Sequence, residues 1–194
     1  MSNLSVADWR TWKNAATKPD TAVIQAAIDS AEASINSWCG RQILVAGATA
    51  TARTYSPTHP FELAIHDCTT VTAVTNDGVA VTAGTSGYQL EPFTVSWTGE
   101  TFPYSTLRLL AGMWVYDQGR ATISVTATWG WLALPTAYTE ATKILAADIL
   151  DSIDLRNGVV GFTDFAAVRV RENGAVVKLL SPYKTFRGQG WGMG

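Results

Sequence analysis

The spacing of apolar residues along the chain changes twice, and these changes limit the folds that the sequence can adopt. Residues 20–39 and 136–156 carry apolar side chains every three or four positions, which predicts two amphipathic helices. Between them, residues 43–131 are rich in Thr, Val and aromatic residues separated by turn signals, which predicts strands. Amphipathic helices bracketing a β-rich antiparallel middle predict an α+β fold.

The helix over residues 20–39 has the clearest pattern, and Gly40 follows it as a typical C-terminal cap. Asp29 and Glu32 are predicted to face away from its apolar stripe. That stripe consists of Ile24, Ala27, Ile28, Ala31, Ile35 and Trp38.

A shorter helix is predicted over residues 5–16. Ser5 and Asp8 have the spacing of a capping box, and Trp9 and Trp12 then lie on one face of the helix. Because these two indoles lie outside the elements that must form the core, they are candidates for an interface.

The β-rich middle contains two specific signals. Asp77-Gly78 predicts a tight hairpin turn, because these residue types tolerate positive φ. From Ile123 to Trp129, apolar and polar residues alternate, which predicts a strand with one buried face. We expect residues 1–180 to form one domain with a β-rich insertion at about 43–131, followed by an extended C-terminal arm at residues 181–194.

Charge is scarce and unevenly distributed. Of the 194 residues, 47% are hydrophobic and 15% are charged, against about 25% charged in an ordinary domain, which excludes intrinsic disorder. No apolar stretch approaches the roughly 20 residues of a membrane span. Residues 1–168 hold 9 basic and 15 acidic side chains, whereas residues 169–194 hold 5 basic and 1 acidic. An acidic body with a basic C-terminal end indicates docking on another protein more than tight binding of nucleic acid.

Catalytic motifs are absent from the sequence. His66 and Cys68 would share one face if residues 61–68 form a strand, which would permit a hydrolase or two metal ligands, but spacing supplies no third group. Cys39 and Cys68 are expected to be reduced core thiols. We therefore predict no enzyme activity, no metal and no cofactor.

Eight Trp residues beside few charges favour a binding role. One alternative is a β-rich domain that binds carbohydrate, with Trp97, Trp114 or Trp129 stacking on the sugar.

Three segments, taken in order, resemble the head-tail connector (head-to-tail adaptor) proteins of long-tailed bacteriophages. They are Trp38-Cys39-Gly40-Arg41, Trp129-Gly130-Trp131 followed by Pro135 and a helix, and Leu179-Leu180-Ser181-Pro182-Tyr183-Lys184. The simplest members of that family are mostly helical, so the large β-rich middle is a departure.

The resemblance implies a ring of identical subunits, commonly twelve, in the virion neck between the portal and a downstream stopper or tail-terminator protein. It implies that double-stranded DNA passes through without specific binding, that no catalytic residue exists, and that assembly takes place in the host cytoplasm without a membrane. The predicted contacts to the portal or a neighbouring subunit are Tyr183, Lys184, Phe186, Arg187 and Trp191, with Trp9 and Trp12. The predicted acidic face between subunits consists of Glu140, Asp148, Asp151 and Asp154.

Overall fold

The computed structural model describes residues 3–92, 101–117, 120–155, 170 and 173–185. The chain divides into two compact units, one of residues 1–42 and 134–194 and the other of residues 43–133. We refer to them as the helical unit and the β unit. Together they form the predicted α+β fold. Within the described ranges, no helix is both long enough and apolar enough to span a membrane.

The helical unit is built from four α-helices and one turn of 3₁₀ helix among the described residues. These are α1 (Val6–Lys13), α2 (Thr21–Cys39), α3 (Thr136–Leu155), α4 (Gly174–Leu180) and the 3₁₀ helix Ser181–Tyr183. Helix α2 packs on α3. The buried stripes of these two helices include Ile24, Ala27, Ile28, Ala31, Ile35, Tyr138, Ala141, Leu145 and Leu150.

The ends of α1 follow from local chemistry. Ser5 Oγ accepts a hydrogen bond from the Asp8 N–H at 3.1 Å, which confirms the predicted cap. The helix ends at Lys13, three residues before the predicted end, because Asn14 adopts a left-handed conformation with φ 55°. Asn tolerates that conformation better than most residues.

One helix prediction was wrong. Glu32 was predicted to face away from the apolar stripe of α2, yet it is only 8% exposed. Its Oε1 accepts hydrogen bonds from the backbone N–H groups of Asn3 and Leu4, at 2.8 and 3.0 Å. The N-terminal segment therefore folds over a carboxylate that helical periodicity assigned to the surface, and burial raises the pKa of Glu32.

The β unit contains one antiparallel sheet, formed by six strands among the residues that the structure describes. The strands are β1 (Thr51–Tyr55), β2 (Glu62–Asn76), β3 (Val79–Val81), β4 (Tyr88–Glu91), β5 (Tyr104–Leu109) and β6 (Ile123–Trp129). Their order is β1-β6-β2-β5-β4, and β3 pairs with β2. The predicted turn is present, with φ 50° at Asp77 and 81° at Gly78. Strand β6 alternates buried and half-buried residues as predicted.

Strand β2 is long and irregular, and it organises the sheet. Its first half pairs with β5 and its second half with β3, while β6 runs along its other side. The register shifts between Ala64 and Cys68 and again further along, so the strand bends. The core of the unit lies on one side and includes Leu63, Ile65, Val74, Leu107, Ile123 and Val125.

Candidate assembly surfaces

The pair of residues that could have supported catalysis is separated by the irregularity in β2. Cys68 is fully buried, whereas His66 is exposed and its Nδ1 lies 2.8 Å from the Tyr55 hydroxyl oxygen. The expectation that His66 and Cys68 share a face was therefore wrong, because the shifted register breaks the two-residue alternation. Burial raises the pKa of the Cys68 thiol to about 12, so it holds no reactive thiolate at neutral pH. Within the described ranges, no three His, Cys, Asp or Glu side chains group as a metal site requires.

The tryptophans of the carbohydrate-binding alternative are placed for packing. Trp114 and Trp129 are 3% and 7% exposed, and Trp129 Nε1 donates to the Thr51 carbonyl oxygen at 2.9 Å. The guanidinium of Arg53 lies 4.6 Å from the centre of the Trp129 ring. Neither ring offers a free face to a sugar. Trp97 lies outside the described residues.

A relay of polar contacts connects α3 to the start of α4. Asn173 caps α4, because its Oδ1 accepts from the N–H groups of Ala175 and Val176 at 3.1 and 3.2 Å. The amide nitrogen of the same side chain donates to Asp148 Oδ2 at 2.8 Å. Asp148 thus orients the cap of α4, and Val176 and Leu180 bury the other side of that helix.

The segment after α4 closes the C-terminal end of α2, and we call residues 181–185 the latch. The Thr185 N–H donates to the Cys39 carbonyl oxygen at 2.8 Å. Its hydroxyl lies 3.1 Å from that oxygen and 3.0 Å from the carbonyl oxygen of Gly40. These two carbonyls belong to the end of a helix, where no partner within the helix is available.

Gly40 is required at this junction for two reasons. It adopts φ +67°, and a Cβ at this position would lie 2.8 Å from Thr185 Oγ1. Its N–H donates to Ser37 O at 3.3 Å and the Arg41 N–H donates to Asn36 O at 3.2 Å, which is the Schellman pattern. Helix end and latch therefore form one interlocked structure.

Two of the predicted contact residues belong to the latch. Tyr183 is 4% exposed and contributes to the core of the helical unit. The Lys184 ammonium lies 4.9 Å from the centre of the Trp38 ring, a cation–π arrangement. Burial raises the pKa of the Cys39 thiol to about 11, and the charges of Arg41 and Lys184 lower it. Phe186, Arg187 and Trp191 lie outside the described residues.

The two tryptophans of α1 have different environments. Trp9 is 2% exposed, and its indole N–H donates to the Lys143 carbonyl oxygen of α3 at 3.3 Å. Trp12 is 40% exposed. Trp9 therefore anchors α1 on the unit, while Trp12 presents apolar surface to solvent.

The acidic residues of α3 are engaged within their own unit. Glu140 pairs with Lys143 at 2.6 Å, and Asp151 pairs with Lys13 of α1 at 3.6 Å. Asp148 holds the cap of α4 as described above. The side chain of Asp154 lies outside the described residues. Asp151 and Asp148 thus contact α1 and the cap of α4, whereas Glu140 pairs within α3, and three-residue spacing alone did not indicate these roles.

The β unit contains an ordered apolar loop at residues 113–116, which the sequence patterns did not predict. The Trp114 N–H donates to the Pro60 carbonyl oxygen at 2.8 Å. Asn76 donates through Nδ2 to the Met113 carbonyl oxygen at 3.0 Å and accepts from the Val115 N–H at 2.9 Å. Three hydrogen bonds therefore hold the loop in place, with Trp114 buried and the side chains of Met113, Val115 and Tyr116 exposed.

This loop forms one wall of an open groove, which we call the β-unit groove. Residues 57–60 and 113–116 line it, and its volume is about 800 Å³. No lining residue is an acid, a lysine or an arginine, while Met113 and Tyr116 are 63% and 68% exposed. The only sequence signal for it is the apolar run from Leu109 to Tyr116, which is too short to span a membrane and does not by itself indicate a groove.

Comparisons with known proteins identify solved structures that share this fold. No protein-family model and no curated protein sequence matches the chain. Among solved structures, a chain in the neck of a native GTA particle computed with C12 symmetry is 19% identical, with a TM-score of 0.56 over 95% of this chain and 90% of that one. A chain in the neck of an empty GTA particle computed with C6 symmetry is 23% identical, with a TM-score of 0.55 over 96% and 92%. A chain in the virion of a native gene transfer agent particle is 22% identical, with a TM-score of 0.51 and the same coverage. At these identities the likeness establishes a shared fold over nearly the whole length of both chains.

Proposed function

We propose that this chain is a structural protein of the neck of a phage or phage-like virion. It forms a ring that joins the portal of the capsid to the next neck or tail protein and lets the genome pass. The observation that carries this proposal is the fold shared with chains of gene transfer agent necks over 95% and 96% of the present chain. Because the likeness includes both units, it supports a common role for the whole chain.

The proposed ring contains twelve copies. The C12 symmetry of the neck in which one similar chain occurs supports this number. Each subunit of a closed ring buries two different lateral faces against its neighbours. A chain with 15% charged residues has the reduced polar surface that such a subunit needs.

The proposed channel passes double-stranded DNA without specific binding. A firm grip on DNA requires a surplus of Lys and Arg that neutralises phosphates. The whole chain has a formal net charge of −2, and residues 1–168 are more acidic than this total. The charge balance therefore favours a conduit over a DNA-binding protein.

The proposed contacts to the portal and to neighbouring copies are made by the basic C-terminal arm. Lys184 lies on the surface of α2, and Phe186, Arg187 and Trp191 follow it. Trp12 of α1 adds exposed apolar surface. Tyr183 and Trp9 support these contacts from inside the helical unit. The acidic face of α3, from Glu140 to Asp154, is proposed to lie towards a neighbouring subunit.

The proposed setting is the virion neck, assembled in the host cytoplasm, with a stopper or tail-terminator protein on the side away from the portal. We propose no catalytic role, because Cys68 is buried away from the exposed His66 and holds no reactive thiolate at neutral pH.

The test is assembly on the portal protein encoded in the same genome. Negative-stain images of the mixed proteins are expected to contain portal rings extended by a second ring with a central hole. Removal of residues 186–194 leaves the latch intact and is expected to abolish this extension, whereas Thr85→Ser in an exposed loop of the β unit serves as a control. A full-length chain that never joins the portal contradicts the proposal.

A further inference from the structure

We propose that the side-chain amide of Asn173 is a site of spontaneous deamidation, and that its contact with Asp148 keeps it unreactive while α4 is docked. The products are aspartate and isoaspartate, and the only co-reactant is water. This modification concerns the helical unit alone, so it does not depend on the ring proposed above.

The pair Asn173-Gly174 supplies the two groups that react. The backbone nitrogen of Gly174 attacks the side-chain carbon Cγ of Asn173, and the new N–Cγ bond closes a five-membered imide ring. The Cγ–Nδ2 bond breaks, and Nδ2 leaves as ammonia after solvent transfers to it the proton of the Gly174 N–H. Water then opens the ring at one of its two carbonyl carbons. Opening at one carbonyl gives aspartate, and opening at the other gives isoaspartate, whose main chain runs through Cγ.

The fold does not require a glycine at position 174. Its φ is not positive, and a Cβ placed there would meet no atom of the described residues within 4 Å. Alanine would therefore fit, and it is the better helix former. What glycine adds is backbone freedom, which lets its nitrogen reach the neighbouring Cγ more easily than the nitrogen of a residue with a side chain.

The folded chain holds both polar atoms of the Asn173 side chain. Its Oδ1 accepts from the N–H groups of Ala175 and Val176 at 3.1 and 3.2 Å, and its Nδ2 donates to Asp148 Oδ2 at 2.8 Å. Ring closure rotates this side chain towards the Gly174 nitrogen, which is incompatible with these three hydrogen bonds. The reaction therefore requires a local opening in which α4 leaves α3.

Deamidation makes that opening harder to reverse. Aspartate at position 173 keeps a capping oxygen but places a carboxylate against Asp148, and isoaspartate displaces the cap by one additional backbone carbon. Val176 and Leu180 bury one side of α4, and the latch follows this helix directly. Chains that have reacted are therefore expected to dock α4 and the latch less firmly than unreacted chains.

The experiment follows deamidation of the full-length protein at mildly alkaline pH in heavy-oxygen water, which labels the product formed during the incubation. Peptide mass spectrometry measures the conversion of Asn173 in the native protein and in urea. Asn157-Gly158 has the same pair of residues and lies outside the described residues. In urea it is the internal reference for the rate of an unprotected Asn-Gly pair.

Four variants separate the contact from the reaction. Asp148→Ala removes the acceptor, and Asp148→Asn keeps its size but replaces a charged acceptor by a weaker neutral one. Gly174→Ala slows ring closure itself. Asp151→Ala is the control, because Asp151 lies on the same helix but pairs with Lys13. Hydrogen exchange across α2 and α3 shows whether each variant remains folded.

Asn173 is expected to react at least about tenfold more slowly in the native protein than in urea, the factor that one hydrogen bond to a charged group can supply. Asp148→Ala should remove most of this protection, Asp148→Asn part of it, and Asp151→Ala none. Adding Gly174→Ala to Asp148→Ala should suppress the product again. In the reacted fraction, hydrogen exchange of residues 174–185 should be faster than in the unreacted fraction.

Equal rates at Asn173 in the native and urea-denatured wild type overturn the proposal, whether or not Asp148→Ala folds. Folded Asp148 variants that react no faster than Asp151→Ala also overturn it. Unchanged hydrogen exchange of residues 174–185 after reaction contradicts the expected loosening of α4 and the latch. Each of these results is independent of binding to the portal.

Discussion

The contact between Asp148 and Asn173 provides a quantitative test of how the C-terminal part of the helical unit is held. The two side chains are joined by one hydrogen bond of 2.8 Å, with the amide as donor and the carboxylate as acceptor. Asn173→Asp keeps the oxygen that caps α4 but places a second carboxylate against Asp148. The relay then has two acceptors and no donor.

The expected cost of Asn173→Asp is about 2 kcal/mol in the free energy of unfolding. Loss of a hydrogen bond to a charged group accounts for roughly 1.5–3 kcal/mol, to which repulsion between the carboxylates adds. A negative charge at the start of a helix offsets about 0.3–1 kcal/mol of this. Both residues are half-buried, so solvent screens part of the repulsion.

The double variant Asp148→Asn with Asn173→Asp reverses the direction of the hydrogen bond and is expected to recover most of the loss. We expect a coupling energy of at least about 1 kcal/mol between the two positions. Asn173→Ser is the control, because it retains a capping oxygen and loses only the donor to Asp148. Stability is measured by urea unfolding. Because the chain contains two units that can unfold separately, hydrogen exchange of peptides from α4 is measured as well and reports on the helical unit alone. A double variant as unstable as Asn173→Asp alone would refute the relay.

Three further predictions concern the same unit and the buried thiols. Gly40→Ala is expected to destabilise the helical unit by at least about 1–2 kcal/mol, which is the cost of a non-glycine residue in the left-handed conformation. The added Cβ would also collide with Thr185 Oγ1. Urea unfolding measures the loss, and an unchanged midpoint would contradict it. Glu32→Gln is expected to change the pH dependence of stability: burial raises the folded-state pKa of Glu32 above 4.5, so its contribution is complete below 4.5 and is lost as the pH rises through the raised value. Wild type should therefore lose stability relative to the variant as the pH rises above 4.5, and parallel curves would contradict this. Burial raises the pKa of Cys39 to about 11 and that of Cys68 to about 12. Both thiols should therefore react with iodoacetamide on the order of a hundred times more slowly in the native protein than in urea. Mass spectrometry measures the two rates, and equal rates are incompatible with burial of the thiols.

Local signals in the sequence predicted the elements whose ends depend on neighbouring residues. Ser5 caps α1, Gly40 ends α2 and Asp77-Gly78 makes its turn, because each is determined by backbone geometry over a few positions. The alternation in β6 was equally reliable, since one face of that strand is buried against a single core. The α+β class followed from these elements together.

Contacts between distant parts of the chain could not be predicted in the same way. Glu32 is buried because Asn3 and Leu4 fold back onto it, and helical periodicity contains no information about a segment 28 residues away. His66 and Cys68 are separated because β2 shifts its register, which depends on its pairing with β5 and β6.

The candidate surfaces were only partly accessible from sequence for the same reason. Tyr183 is a predicted contact residue, and no local pattern indicates that the latch buries its side chain in the helical unit. The β-unit groove requires two loops that are about 50 residues apart in the sequence to come together, and no local pattern indicates this. Lys184 and Trp12 remain exposed enough to serve as predicted contacts.

The most direct measurement of the proposed ring is the mass that this chain adds to its portal. Twelve copies of a 20.8 kDa chain give about 250 kDa. Native mass spectrometry of the portal ring, with and without this protein, is predicted to show one increment of about that size, without intermediate species at saturation. No added mass, or a continuous distribution of small numbers of bound copies at saturation, would contradict a closed ring.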